Sequence, residues 1–374
     1  MKINIVVEEY SIGFDTLDWF YAYRQNKNKN NNYESDITIV FNENVQDECF
    51  NVLYCNQQIK NLSTINLFDI VLIDNDGESI QNCTPEIKSA LENYSHVYFL
   101  CGSFVTDDHY LKNKIIPYNH CLHLFRRCYT DGFYPQYYDT QINNVDKTKN
   151  FFFINGQNLS YRHYFAEILK QQCDFVNHFR ESTEIRKTLD CQFESSEDQI
   201  FRDFVNEKYA NVVVKSIFNY YTNSINCGIN NKFGNIPMGY FLLPEYSEYK
   251  CAIFPESCWT NDQFFMTEKV FKCFVTECLP MPIAGANIAN LYNKFGFYTA
   301  FDLCPPELRK FDSCKNHIER YQGVLDCIKW LNSNADIMIS DQAKKITKHN
   351  KQNFYSTRLN MQSSLLYERI FKLC

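Results

Sequence analysis

Short runs of β-branched and aromatic residues alternate with amphipathic segments along the first third of the chain. These runs predict buried strands at residues 3–7, 37–41, 70–73 and 97–100. Between the last two runs, residues 85–94 predict a helix, because Pro85 is well placed in a first helical turn. Strands and helices that alternate at this spacing favour a parallel sheet with helices on both faces.

The same alternation restarts after residues 139–150, a polar stretch without apolar periodicity. Beyond it the pattern predicts strands at 151–154, 212–214, 251–254 and 279–283. It predicts helices at 160–171, 267–278 and 288–295, and further helical segments near 317–334 and 357–373. We therefore predict an α/β protein with two domains, residues 1–145 and 146–340, and a helical tail at 341–374. Two such halves bind ligands beyond the carboxyl ends of their strands.

Composition supports a globular protein of this size. The chain has 374 residues, of which 45% are hydrophobic and 22% charged, a balance that excludes a disordered chain. The net charge is −7, and lysine and arginine are scattered. This argues against binding of nucleic acid through a broad basic face, but it leaves room for a local basic pocket.

The cysteines and the start of the chain bear on its compartment. Seventeen cysteines without a C-x-x-C pair fit neither a disulfide framework nor a zinc ribbon. The first apolar run turns acidic at Glu8 and Glu9, unlike a signal peptide, and no stretch of 18 apolar residues occurs. We expect a cytoplasmic protein without a transmembrane segment, whose thiols are free and mostly buried.

Several common nucleotide and metal motifs are missing from the sequence. Neither G-x-G-x-x-G nor G-x-x-x-x-G-K-[ST] occurs, which argues against a dinucleotide oxidoreductase and a P-loop NTPase. His109, His120 and His123 have no glutamate or cysteine at a ligand spacing, so we predict no metal site.

The most informative segment is 254–271, where a strand, a polar loop and a helix follow one another. Thr267 can begin that helix, and a helix N-terminus attracts anions such as a pyrophosphate. Lys269 lies in the first turn, where the helix dipole disfavours a cation unless a phosphate is bound. Glu256 and Glu268 could accept hydrogen bonds from sugar or ribose hydroxyls. The alternative interpretation is a capped surface helix with ordinary charges.

The order of motifs in this segment resembles a known family. The matching residues are Glu256-Ser257, Phe265-Met266-Thr267-Glu268-Lys269, the run from Leu279 to Gly285, and the run from Ile288 to Asp302. They resemble the nucleotide-sugar site of fucosyltransferase-like glycosyltransferases with the GT-B fold, and more closely those encoded by viruses and phages. Fucosyltransferases have an asparagine where this chain has Glu256, which leaves the donor sugar open.

The resemblance implies a fold and a substrate class. Its fold consists of two Rossmann-like domains that face each other across a cleft, with a C-terminal helical tail that packs back on the N-terminal domain. Its donor is a nucleoside diphosphate sugar, GDP- or UDP-linked here, with no tightly bound cofactor. The acceptor is a glycan, a protein or a modified nucleobase. A viral origin would place the protein in the host cytoplasm or the virion.

A second segment agrees with this resemblance. Asn155 follows the strand at 151–154 and precedes Arg162 by seven residues, as in the first strand and helix of the family's C-terminal domain. The family's arginine contacts the donor diphosphate, and a guanidinium suits bidentate phosphate contact. The alternative is a surface arginine in a first helical turn.

The base that takes the acceptor proton is harder to place. In GT-B enzymes it usually comes from a loop of the N-terminal domain, which makes Glu9, Asp76 and Asp108 the candidates. Neighbouring alternatives at strand ends are Glu8, Asp74, Asp107 and His109. Each is equally explained by turn chemistry. We expect an inverting, metal-independent glycosyltransferase; the alternatives are a non-catalytic nucleotide- or glycan-binding protein that kept the fold, and a sugar-nucleotide hydrolase.

Overall fold

The computed structural model describes most of the predicted elements. It describes residues 3–7, 37–41, 45, 47–56, 62–74, 80, 83–105, 110–117, 147–155, 158–171, 176–179, 184–213, 245–261 and 263–355. The chain divides into two compact units, the first comprising Met1–Leu124 with Thr357–Cys374 and the second Phe125–Ser356. These limits and the predicted boundary at residue 145 all lie outside the described residues, so the domain bounds stay predictions.

The first unit is built on a six-stranded parallel sheet. Its strands are β1 (Ile3–Val7), β2 (Ile37–Phe41), β3 (Phe50–Asn56), β4 (Ile70–Asp74), β5 (Val97–Cys101) and β7 (Ile115–Pro117). Their order in the sheet is β2-β1-β3-β4-β5-β7, and every pairing is parallel. A short strand β6 (Ser103–Val105), a 3₁₀ helix (Leu62–Leu67) and helix α1 (Pro85–Asn93) complete the described elements.

The second unit repeats this design with four parallel strands. They are β8 (Lys149–Asn155), β9 (Val176–Phe179), β10 (Tyr249–Pro255) and β12 (Leu279–Ile283), in the order β12-β10-β8-β9. A short strand β11 (Gln263–Phe265) lies between β10 and β12 in the sequence. The helices are α2 (Ser160–Lys170), α3 (Ser196–Tyr209), α4 (Glu245–Glu248), α5 (Glu268–Val275), α6 (Ile288–Lys294), α7 (His317–Ser333) and α8 (Asp341–Tyr355). Three 3₁₀ helices add to them: Ala300–Leu303, Leu308–Ser313 and Ala335–Ile339.

The predicted α/β class with parallel sheets is confirmed, and the strands show why the sequence indicated it. All residues of β10 and β12 are buried, so both faces of the sheet are covered. A parallel strand covered on both faces needs a continuous apolar run rather than alternation, which is the pattern of Phe151 to Ile154 in β8. Helix α2 covers this strand through Phe165, whose ring lies 6.0 Å from that of Phe153.

Helix α8 packs within the second unit. The ring of Phe354 stacks on Phe271 of α5 at 5.7 Å, and Lys351 pairs with Glu277 at 3.0 Å. The rest of the predicted tail, including the helix at 357–373, lies outside the described residues. Its packing on the first domain stays a prediction.

One predicted strand is wrong. Val213 forms an isolated antiparallel bridge with Glu184 and is 72% exposed, so the described part of this run, residues 212 and 213, is not a strand of the sheet. Within the described ranges, no helix combines the length and the apolar character that crossing a membrane requires.

Candidate anion-binding site

The residues predicted to bind the donor meet at one edge of the second sheet. From β8 the chain runs to β9 on one side of it and then to β10 on the other, so the direction of winding reverses between β8 and β10. In open α/β sheets, ligands bind beyond the carboxyl ends of the strands at this reversal. Asn155 ends β8, and Glu256 directly follows β10.

Arg162, in the first turn of α2, reaches both strand ends. Its Nη1 donates to Asn155 Oδ1 at 3.2 Å, and its Nη2 donates to the backbone oxygen of Glu256 at 3.3 Å. Its Nε donates to the hydroxyl of Tyr161 at 2.7 Å, and that hydroxyl donates to the same backbone oxygen at 2.8 Å. Three of the five guanidinium N–H groups are thus used by described residues, which leaves two for a ligand.

Glu256 is completely buried and holds the start of α5. Its Oε2 accepts a hydrogen bond from the Thr267 hydroxyl at 2.7 Å, and its Oε1 accepts one from the Tyr292 hydroxyl at 2.9 Å. Burial raises the pKa of Glu256, while Lys269 and these two hydrogen bonds lower it in part. In these contacts the carboxyl group positions the start of α5, and its predicted contact with a sugar or ribose hydroxyl stays a prediction.

The start of α5 keeps the features of an anion site. Thr267 is the N-cap residue, with φ −95° and ψ 173°, but its side chain makes no capping hydrogen bond to the helix. Its hydroxyl is instead turned to Glu256 and receives a hydrogen bond from Lys269 Nζ at 3.3 Å. Thr267 therefore supplies no side-chain acceptor to the N-terminal N–H groups of α5, although Glu256 Oε1 accepts a hydrogen bond from the backbone N–H of Thr267 itself at 3.5 Å. The positive end of the helix dipole lies beside Glu256 and can attract a further anion.

The cations here outnumber the carboxylates. Arg162, Lys269 and Lys272 are 3%, 6% and 7% exposed. Lys269 lies 3.7 Å from Glu268, whose side chain is 23% exposed. Burial would raise the pKa of Glu268, but Lys269 and Lys272 more than offset this and lower it, so Glu268 is ionised at neutral pH. Among the described residues of this site, three largely buried cations face two carboxyl groups, and an anionic ligand would balance the charge.

The structure adds residues that the sequence did not point to. Tyr161 and Tyr292 orient Arg162 and Glu256, and although Tyr292 lies in the matched run from Ile288 to Asp302, the sequence indicated no role for either tyrosine. Ser257 is half-buried next to Glu256, and its contact with a donor stays a prediction.

The candidate bases Glu9, Asp76 and Asp108 lie outside the described residues, as do Glu8, Asp107 and the three histidines considered for a metal. Asp74, which ends β4, is described: it is 1% exposed and accepts a hydrogen bond from the Tyr54 hydroxyl. Such a carboxylate is well suited to a structural role in the sheet.

A buried polar network holds the loop that follows β10. Asp198 of α3 accepts a hydrogen bond from the backbone N–H of Asn261 at 3.0 Å and lies 2.6 Å from His317 Nε2. Arg320 of α7 donates to the side-chain oxygen of Asn261 at 3.0 Å and to the backbone oxygen of Ala284 at 3.1 Å. The network joins two helices to the loop between Glu256 and Thr267.

The described cysteines and the side chains that could bind a metal were compared with the sequence predictions. Its twelve cysteines are all free thiols, and ten of them are buried, as expected of small apolar side chains. Among the described residues, no group of three or more His, Cys, Asp or Glu side chains could hold a metal ion.

Comparisons with known proteins give only distant structural likeness. No family model and no curated protein matches the chain. A crystal structure of an α1,3-fucosyltransferase is similar over 100% of this chain and 90% of its own, with 11% identity and a TM-score of 0.49. A second one, with GDP-fucose, has the same coverage, 14% identity and a TM-score of 0.40. The wall teichoic acid polymerase TagF covers 99% of this chain and 89% of its own, with 12% identity and a TM-score of 0.29. Likeness at this level does not assign an activity.

Proposed function

We propose that the protein is a glycosyltransferase of the GT-B type, which moves a sugar from a nucleoside diphosphate sugar to an acceptor hydroxyl with inversion and without a metal. The observation that carries the proposal is the buried cationic cluster at the winding reversal of the second sheet. Two of its residues, Arg162 and Lys269, are also positions at which the sequence resembles the fucosyltransferase-like family.

The proposed roles follow from the contacts of each residue. Arg162 uses its two remaining N–H groups on the diphosphate, while Asn155 and Tyr161 fix the guanidinium plane. Lys269 and the N-terminus of α5 hold the same group. Glu268, which is ionised and partly exposed, accepts hydrogen bonds from ribose hydroxyls.

The chemical step needs stabilisation of a leaving group. The acceptor oxygen attacks the anomeric carbon, the bond from that carbon to the phosphate oxygen breaks, and the electron pair leaves with the diphosphate. The cations of the cluster stabilise this developing charge. A carboxylate of the first unit takes the acceptor proton, with Glu9, Asp76 and Asp108 as candidates.

A thermal-shift screen tests the donor site. We expect one of GDP, UDP, CDP or ADP, or one of their sugar derivatives, to raise the unfolding temperature of the wild type. A ligand at one hundred times its dissociation constant stabilises a protein by about 2.7 kcal/mol, which is a shift of several degrees. The variant Lys269→Met should lose this shift, because it removes a phosphate contact but keeps the apolar stem of the side chain.

The exposed Lys294, at the end of α6, provides the matched control. Lys294→Met should keep the full shift. Absence of a shift with every nucleotide, or an equal shift in both variants, would contradict the donor site. Release of free sugar without an acceptor would indicate a hydrolase instead, and binding without turnover a non-catalytic protein.

A further inference from the structure

Lys272 is a largely buried lysine whose ammonium group has no counter-ion among the described residues. It lies in the middle of α5 and is 7% exposed. Its ammonium group makes no hydrogen bond and no ion pair within the described part of the chain, whereas Lys269 contacts both Thr267 and Glu268. Most of the side chain is buried, and an ammonium group that is poorly solvated and has no partner is destabilised unless an anion compensates it.

The helix places Lys272 beside the anion site. It is three residues after Lys269 and four after Glu268, and side chains at these spacings are neighbours on a helix, with Cβ atoms about 5–6 Å apart. Both neighbours influence it electrostatically, and Cys273 has a smaller effect. Lys272 thus belongs to the same surface as the residues proposed to hold the diphosphate.

Among the described residues, the other elements packed on α5 supply no counter-charge to Lys272. Helix α4 contacts α5 through Tyr246, whose hydroxyl donates to the backbone oxygen of Lys269 at 3.3 Å, and its Glu248 is paired with Lys149 at 2.6 Å. Strand β12, with the sequence LPMPI, has no titratable side chain. In α8, Lys351 is paired with Glu277, beyond the end of α5. The pKa of Lys272 is lowered to about 8: burial lowers it most, Glu268 raises it in part, and Lys269 lowers it. The charged form of Lys272 is therefore destabilised in this position, and a bound anion would stabilise it.

We propose that Lys272 is a third cationic contact for the diphosphate of the donor, in addition to Arg162 and Lys269. The proposal rests on the proposed function, since it concerns the same site. It goes beyond the motif resemblance, which ends at Lys269 in this helix. It also gives a reason for a lysine at a position that packing alone would fill with an apolar residue.

Calorimetric titration with inorganic pyrophosphate tests this contact without knowledge of the base. We expect Lys272→Met to weaken binding about tenfold at pH 7, the usual size of one charged hydrogen bond. Lys272→Arg keeps its charge at all accessible pH values. As pH rises from 7 to 9, the wild type should therefore lose affinity relative to the Arg variant, whatever the protonation of pyrophosphate itself.

Control variants separate this inference from the proposed function. Lys294→Met should bind pyrophosphate like the wild type. If Lys269→Met loses binding while Lys272→Met and Lys272→Arg match the wild type at both pH values, Lys272 is not a contact and the donor site stands. If the wild type binds neither pyrophosphate nor any nucleotide of the screen, both proposals fail.

The unfolding temperature without ligand shows whether the Lys272→Met variant keeps its fold. Lys272→Met should unfold at the same temperature as the wild type or higher, because it removes an uncompensated buried charge. If it unfolds lower, the comparison of the wild type with Lys272→Arg across pH still decides the matter.

Discussion

Gly285→Ala should destabilise the second unit by about 3 kcal/mol or more, the upper end for overpacking of a core. A Cβ at this position would lie 1.9 Å from the backbone oxygen of Thr260 and 2.6 Å from its carbonyl carbon. Both are backbone atoms, so relief requires the loop between Glu256 and Thr267 to move. We expect the variant to lose nucleotide-induced stabilisation as well, because this loop connects two residues of the anion site.

The loop has little freedom to yield. The hydroxyl of Thr260 donates to Gln263 Oε1 at 2.9 Å, and Asn261 both donates to the backbone oxygen of Lys315 at 2.9 Å and accepts from the N–H of Ala286 at 3.0 Å. Ala286 and Lys315 belong to segments outside this loop. A shift of Thr260 away from a new methyl group would therefore break several buried hydrogen bonds together.

Gly296→Ala is the matched comparison. Its φ of +76° strains any other residue, but a Cβ there meets only the side-chain amide of Asn353, at 3.1 Å. It should cost about 1 kcal/mol. Both substitutions reduce the conformational freedom of the unfolded chain equally. The difference between the two losses in the free energy of unfolding therefore comes from the folded state. Denaturant unfolding followed by tryptophan fluorescence measures it; equal costs would show that the loop adapts.

The sequence predicted the strands that consist of a run of apolar or β-branched residues, but it did not predict strands whose run is broken by polar residues. The strand Ile37–Phe41 has the predicted bounds, because a short run rich in β-branched residues is typical of a strand. Phe50–Asn56 was missed, since Asn51 interrupts its apolar run after the first residue. Asn51 in this strand pairs with Asn4 of β1 at 2.8 Å, and a partner 47 residues away leaves no local signal.

The run at 212–214 shows the opposite error. Three consecutive valines favour a strand locally, yet nothing in the run says whether a sheet edge is available. Helix α3, by contrast, was missed although its start carried a signal. Ser195 and Asp198 form a capping box, a pattern that can be read directly from the sequence.

In the candidate site, motif spacing predicted which residues meet but not what each contacts. Arg162 and Glu256 are 94 residues apart and lie within hydrogen-bonding distance. The resemblance supplied this neighbourhood. It could not show that Glu256 is buried and engaged by Tyr292, because a tyrosine 36 residues later is indistinguishable from any other aromatic core residue in a chain with 26 tyrosines.

His317, one of two buried histidines described in the second unit, should make the free energy of unfolding decrease as pH falls below about 6.5, well above the range in which carboxylates titrate. His317 Nδ1 lies 2.5 Å from Arg320 Nη2, which can only donate, so Nδ1 accepts. Nε2 then carries the proton and donates to Asp198 at 2.6 Å. Both side chains of this pair are 0% exposed, and the neutral imidazole satisfies every partner.

The sign of the effect follows from the pKa. Burial lowers the pKa of His317 from 6.5 to about 4; Asp198 raises it and Arg320 lowers it to smaller extents. In the unfolded chain the imidazole takes up a proton below pH 6.5, whereas in the folded chain it does so only near pH 4. The free energy of unfolding should therefore fall by about 3 kcal/mol between these values, at about 1.4 kcal/mol for each pH unit.

The pKa of Asp198 is lowered: burial raises it, but the hydrogen bonds with His317 and Ser195 outweigh burial. Its stabilisation is present above the ordinary value of 3.8 and is lost only as pH falls through the lower folded value. The two residues therefore act in separate windows of pH. Between pH 6.5 and 4.5, a difference caused by the network belongs to His317.

His317→Gln isolates this contribution, because the amide can donate to Asp198 and accept from Arg320 but does not titrate. Denaturant unfolding between pH 7.5 and 4.5, followed by the fluorescence of Trp259 and Trp330 in this unit, should show a steep fall for the wild type and a shallower one for the variant. The exposed His349, replaced by Gln, should keep the wild-type slope. If the slope of His317→Gln also matched the wild type, the imidazole would be protonated in the fold, and the Arg320 contact could not be a hydrogen bond to Nδ1.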